Sequence, residues 1–73
     1  MDKKEELIKL GNRVKYLREK FGMSQVELAN SIGKDQPSIN RLEKGNINPS
    51  YIYLLEICNG LGIPMHELVA KTE

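Results

Sequence analysis

The 73-residue chain has no tryptophan, one phenylalanine, one cysteine and one histidine, and its 11 lysines and arginines almost cancel its 10 aspartates and glutamates. Each shortage excludes something. A lone Cys58 closes no internal disulfide, and its place on an apolar helical stripe makes it a reduced core thiol. A lone His66, with no cysteine or carboxylate cluster at ligand spacing, reads as a surface or helix-start histidine rather than a metal ligand. No apolar run approaches the roughly 18 residues of a membrane span. Residues 1–10, MDKKEELIKL, lack the apolar stretch of a signal peptide, so a cytoplasmic location away from membranes is expected. With no glycine-rich phosphate loop, nucleophile–base arrangement or acid pair, neither an enzyme nor a cofactor is expected. The net charge of only +1 gives little general attraction to phosphate, so a monomer should bind nucleic acid weakly and the placement of charge matters more than its total.

What is present is helical patterning for one domain, residues 1–73. A chain this short buries only about 60% of its unfolded surface and is modest in stability unless it packs well or dimerises. Leu7, Leu10, Val14, Leu17 and Phe21 alternate spacings of three and four, which predicts one long amphipathic helix ending near Gly22. Two heptads are too few for a coiled-coil seam, so packing on the rest of the chain is the expected use of this stripe.

Residues 24–45, SQVELANSIGKDQPSINRLEKG, carry the densest set of signals. Ser24 and Glu27 stand in capping-box spacing. Leu28, Ala29 and Ile32 then form a buried stripe, and Gly33 suits the left-handed turn that ends a helix. Asp35 is placed to cap a second helix, with Pro37 in its first turn, Ile39 and Leu42 facing inward and Gly45 stopping it. Ala29 is small where a steep crossing needs room. Two helices joined by such a turn form a helix-turn-helix, whose second helix projects into a DNA major groove. Two ordinary helices of a small bundle would share some of these marks, but not all of them in one register.

After the motif, Asn48 or Ser50 caps a fourth helix with Pro49 near its start, and Tyr51, Leu54, Ile57, Cys58 and Leu61 form its stripe up to Gly62. Pro64 opens a short last helix with Met65, Leu68 and Val69 apolar, and Ala70 to Glu73 should fray. The expected fold is all-α, with five helices and no strands.

The series S-Q-x-E-L-A-x-x-I-G, Q-x-S-I-x-R-L-E-x-G and N-P-S resembles the XRE family of helix-turn-helix proteins, of the Cro and lambdoid-repressor type, from about Leu10 to Leu68. The resemblance implies a compact lambda-repressor-like domain whose helices 2 and 3 form the motif. It places Gln25 on a phosphate and Gln36 at the start of the recognition helix, where an amide matches adenine N6 and N7. Pro37 stands where a polar base-contacting residue is frequent and offers only apolar contact. Arg41 suits guanine or a phosphate, and Asn40 flanks it. Ser38, Lys34, Lys44, Asn46, Asn48 and Arg13 are the further candidates around the reading surface, chiefly for the DNA backbone. The resemblance also implies that Arg18 pairs with Glu43 as a structural clamp.

The implied function is a transcription regulator, a repressor or autoregulator, on double-stranded DNA. One recognition helix covers few base pairs, so a homodimer on a palindromic operator is expected. Ile52, Tyr53, Met65, Leu68 and Val69 are its candidate interface, with Met65 and Leu68 equally suited to the monomer core. An antitoxin that also binds a toxin, and a restriction-modification controller protein, remain open alternatives.

Overall fold

The computed structural model describes residues 1–70, among which five α-helices and no strand occur. The expected fraying at 71–73 lies outside the described residues. The first helix, α1, spans Lys3–Lys20, and the Asp2 carboxylate caps it by accepting from the amides of Lys4 (2.9 Å) and Glu5 (3.1 Å). Val14 and Leu17 are buried and Leu10 packs against them, as the stripe requires. Phe21 departs from it, being 46% exposed. The helix has already ended there and the chain turns at Gly22, φ +71°, which carries the ring off the stripe; Met23 reaches the core instead.

The motif helices are α2, Gln25–Ser31, and α3, Gln36–Glu43. Ser24 and Glu27 complete both halves of the capping box, and Asp35 accepts from the Ser38 amide at 2.8 Å. Leu28, Ala29, Ile39 and Leu42 are buried where these helices cross. Gly33 (φ +70°) and Gly45 (φ +73°) end them in the left-handed region that a side chain disfavours.

Helix α4 spans Tyr51–Leu61 and α5 Met65–Leu68. Ser50 is the cap of α4, its hydroxyl accepting from the Tyr53 amide at 3.0 Å. The expected α4 stripe is right for Ile57, Cys58 and Leu61, which are buried, but not for Tyr51, the first residue of the helix, which is 65% exposed. Leu68 is fully buried and Met65 packs on the same core. Both complete the monomer, and Leu68 offers a second chain no surface.

Two glycines outside the turns set how closely the helices approach. A Cβ on Gly11, in mid-α1, would fall on the carbonyl oxygens of Leu42 and Glu43, so α1 lies directly against the end of α3. A Cβ on Gly60 would meet the side chains of Ile32, Ser31 and Leu28, which fixes α4 against α2. The first contact holds the end of α3 against α1, and the second holds α2 against α4.

Candidate nucleic-acid interface

The side chains at the start of α3 belong to a continuous polar chain that begins in the core. Arg18, 7% exposed, and Glu43, 5% exposed, form a forked pair: Nε donates to Oε2 at 2.7 Å and Nη2 to Oε1 at 3.0 Å. The remaining Nη1 donates to the Met23 carbonyl at 2.7 Å. The guanidinium therefore ties the end of α1 to the end of α3 and to the residue leading into α2. The hydrogen bonds to the Glu43 carboxylate raise the Arg18 pKa above its usual value. Burying the pair gains little net stability, but removing one partner leaves an uncompensated charge.

Glu43 Oε1 also accepts from Gln25 Nε2 at 3.0 Å, and Gln25 Oε1 accepts from Gln36 Nε2 at 2.6 Å and from Asn40 Nδ2 at 3.4 Å. Gln25 is thus a bridge between the clamp and the first turn of the second motif helix. Its second N–H forms no hydrogen bond among the described residues. Gln36 keeps its carbonyl oxygen and its second N–H, the donor and acceptor that an adenine edge requires.

Pro37 is exposed on the next position, and Asn40 is half-buried beside Gln25. Arg41 is exposed, with Nη2 3.2 Å from the Ser38 hydroxyl. Lys44 is exposed at the end of the helix. Lys4 Nζ donates to the Gly45 carbonyl and, at 2.8 Å, to Asn46 Oδ1, which places a positive charge at the negative end of α3 and leaves the Asn46 amide N–H groups outward. Asn48 is exposed in the same loop.

Two of the expected backbone cations have partners within the fold. Arg13 donates through Nε and Nη2 to the Glu67 carbonyl, at 3.1 and 2.9 Å, and lies 5.5 Å over the Tyr16 ring. Lys34 faces α4, 3.6 Å from Glu56 and 5.2 Å over the Tyr53 ring. Spacing does not reveal such destinations, because both depend on where α4 and α5 pack. Tyr53 is accordingly half-buried, its hydroxyl sealed without a partner among the described residues and its pKa pushed up by burial. That leaves Ile52 (63% exposed) and Val69 (57%) as the expected interface residues with open apolar surface; Tyr51, expected in the core stripe, and Leu55 are exposed as well.

The caps carry charge as well as geometry. The Ser38 hydroxyl and amide hold the Asp35 carboxyl below the usual range, and the Ser24 amide and hydroxyl do the same for Glu27. Burial alone pushes the Cys58 thiol up, as suits an unreactive core residue.

A family model described as helix-turn-helix matches residues 14–68, most of the chain. This chain belongs to that family. Family members similar to it include the control protein C.MunI of Mycoplasma sp, 39% identical over 67 residues and covering 90% of each chain. The HTH-type transcriptional regulator YgzD of Bacillus subtilis is 35% identical over 57 residues, 78% of this chain and 86% of that one. Among solved structures, the restriction-modification controller protein C.AhdI from Aeromonas hydrophila superposes with a TM-score of 0.89 at 34% identity, covering 93% of this chain and 99% of that one. The all-helical fold and the XRE-type resemblance both agree with these matches. No helix among the described residues is long and apolar enough to cross a membrane.

Proposed function

We propose that this helix-turn-helix regulator of transcription reads a palindromic operator as a homodimer, with α3 in the major groove and Gln36 as its principal base-reading residue. The observation that carries the reading is the hydrogen bond from Gln36 to Gln25, itself fixed to Glu43. It holds one edge of the amide and leaves the other edge to a base. Arg41 and Asn40 read beside it, Pro37 contributes apolar contact, and Gln25, Ser38, Lys44, Asn46 and Asn48 serve the backbone. The dimer uses the open apolar surface of Ile52 and Val69 together with Tyr51 and Leu55. Two symmetry-related helices about 34 Å apart double a reading surface that alone covers too few base pairs.

Similarity to two controller proteins over nine-tenths of the chain or more favours control of a restriction-modification gene pair over the antitoxin setting. A restriction or methyltransferase gene beside this one supports that choice, and a toxin gene there overturns it. The test of DNA reading is selection from random duplexes, followed by titration of Gln36→Ala. The substitution should cost about 1–3 kcal/mol on the selected sequence and little on random DNA. Selection without enrichment, or equal loss on both DNAs, rejects the base-reading role.

A further inference from the structure

The turn between α2 and α3 sets the direction in which the reading helix leaves its neighbour, and little packs against it from outside. Gly33 is left-handed there, and beyond its chain neighbours no atom lies within 4 Å of where a Cβ would stand. The Lys34 amide donates to the Ala29 carbonyl at 2.9 Å, which closes the end of α2 without reaching another helix. The Lys34 side chain does reach one: Nζ lies 3.6 Å from Glu56 and 5.2 Å over the Tyr53 ring, both on α4. We infer that Lys34 is a positioning residue for operator reading, a brace through which Tyr53 and Glu56 of α4 hold the turn and so the direction of α3. The inference rests on the reading of α3 as the base-reading helix and adds a support from outside the motif.

Helix α4 is a firm base for such a brace. Gly60 lets it lie directly against Leu28, Ser31 and Ile32 at the end of α2, and Ile57, one turn after Tyr53 on the same face, is fully buried. Tyr53 itself is half-buried, and its hydroxyl is sealed without a hydrogen-bond partner among the described residues. A hydroxyl in that state costs free energy, so what this position uses is the ring, whose face attracts the Lys34 ammonium. The charges of Arg41, Asp35 and Glu56 all act on the hydroxyl, which agrees with a ring lying beside both the turn and the start of α3. The Lys34 and Glu56 side chains are 37% and 38% exposed, and an ion pair so open contributes little alone. With the ring beneath it, the lysine is held from two sides by one helix. A competing role for Lys34, a phosphate donor restrained by Glu56, makes the opposite demand on Glu56.

The test titrates the full chain against its selected operator and random duplex across a salt series. Glu56→Gln decides by sign. The brace requires a lower operator-to-random ratio, by about twofold for so open a pair, whereas a restrained phosphate donor would bind both duplexes more tightly, and that result overturns the inference. Lys34→Met, which keeps the stem, and Tyr53→Leu, which keeps apolar volume, should each lower the ratio by about two- to fivefold, the worth of one cation–π contact. The double variant should lose no more than either alone. A fall of about 0.9 in the salt slope of Lys34→Met, with equal loss on both duplexes, places Lys34 on a phosphate instead and rejects the brace. Tyr53→Phe keeps the ring face and drops the unpartnered hydroxyl, so it should keep the ratio and melt no lower than the parent chain. Each variant should sediment as the parent does; a shift toward monomer moves the effect to the dimer surface and also rejects the brace. Where Tyr53→Leu melts early, the partly exposed Lys34→Met and Glu56→Gln still decide. If Gln36→Ala abolishes operator preference while Lys34→Met and Tyr53→Leu retain it, the brace is wrong and the base reading stands. Selection without enrichment rejects both.

Discussion

The two halves of the molecule are held together differently. From α1 through α3, polar side chains cross between helices in a connected series, Arg18 to Glu43 to Gln25 to Gln36, and both motif helices have side-chain N-caps. Around α4 and α5, aliphatic packing dominates: Ile57, Leu61 and Leu68 are buried, α5 has no side-chain cap, and Tyr51, Ile52 and Val69 are left outside. Hydrophobic burial is non-directional, whereas a hydrogen-bond series fixes orientation. The half that must present side chains at set angles uses the directional forces. The half with surplus apolar surface is suited to meeting another chain.

The largest effect should come from cutting the directional half at its root. Glu43→Ala should destabilise the chain by about 3–5 kcal/mol, because Arg18 is left buried and unpaired; urea unfolding measures it. Tyr51→Ala, on the other half, should stay within about 0.5 kcal/mol. If the two variants unfold alike, the contrast between the halves is false. Gly11→Ala comes next, with a loss of about 1–3 kcal/mol from overpacking α1 against the Leu42 and Glu43 carbonyls, although alanine is the better helix former. A gain in stability would show that α1 moves away freely.

The first half was largely legible in the sequence because its signals are local. Ser24 with Glu27, Asp35, Gly33 and Gly45 each act within four residues, and the turns formed where their spacing put them. What escaped was everything decided through space. Gly11 looks like an isolated weak point in a helix, and only the neighbouring carbonyls explain it; a mid-helix glycine with its intrinsic cost was the one available signal. The partners of Arg13 on α5 and of Lys34 on α4 also escaped, because charge does not say which neighbour lies beside it. Phe21 and Tyr51 sat on the stripes at helix ends, where the partner surface has run out. Gln25 and Gln36 are each singled out separately by the family resemblance, and the hydrogen bond joining them depends on the crossing of α2 and α3.

Smaller effects sharpen the comparison. Ile52→Lys should leave the melting temperature of the dilute chain unchanged while shifting sedimentation toward monomer and weakening operator binding. Sedimentation of the parent chain as a monomer at high concentration, with and without operator, removes the α4 surface from the dimer. The smallest effect is one of pH. Asp35 and Glu27 are held lower in the folded chain than in the unfolded one, so each favours folding while ionised. That contribution is complete above the unfolded carboxylate values near pH 4 and is lost as pH falls through the lower folded values. Asp35→Asn, which keeps a capping oxygen, should flatten the acid limb of a melting-temperature profile, and an unchanged limb contradicts the assignment.

In the proposed reading of α3, the tether of Gln36 to Gln25 makes the operator preference a property of a pair. Replacing Gln36 with a residue that cannot donate frees Gln25 as well, so retargeting the protein by single substitutions on α3 should give losses that do not add, and a double-mutant cycle across positions 25 and 36 should return a sizeable coupling. Transplanting only the outward residues of α3 onto another scaffold would transfer the letters of the code without the hand that aligns them.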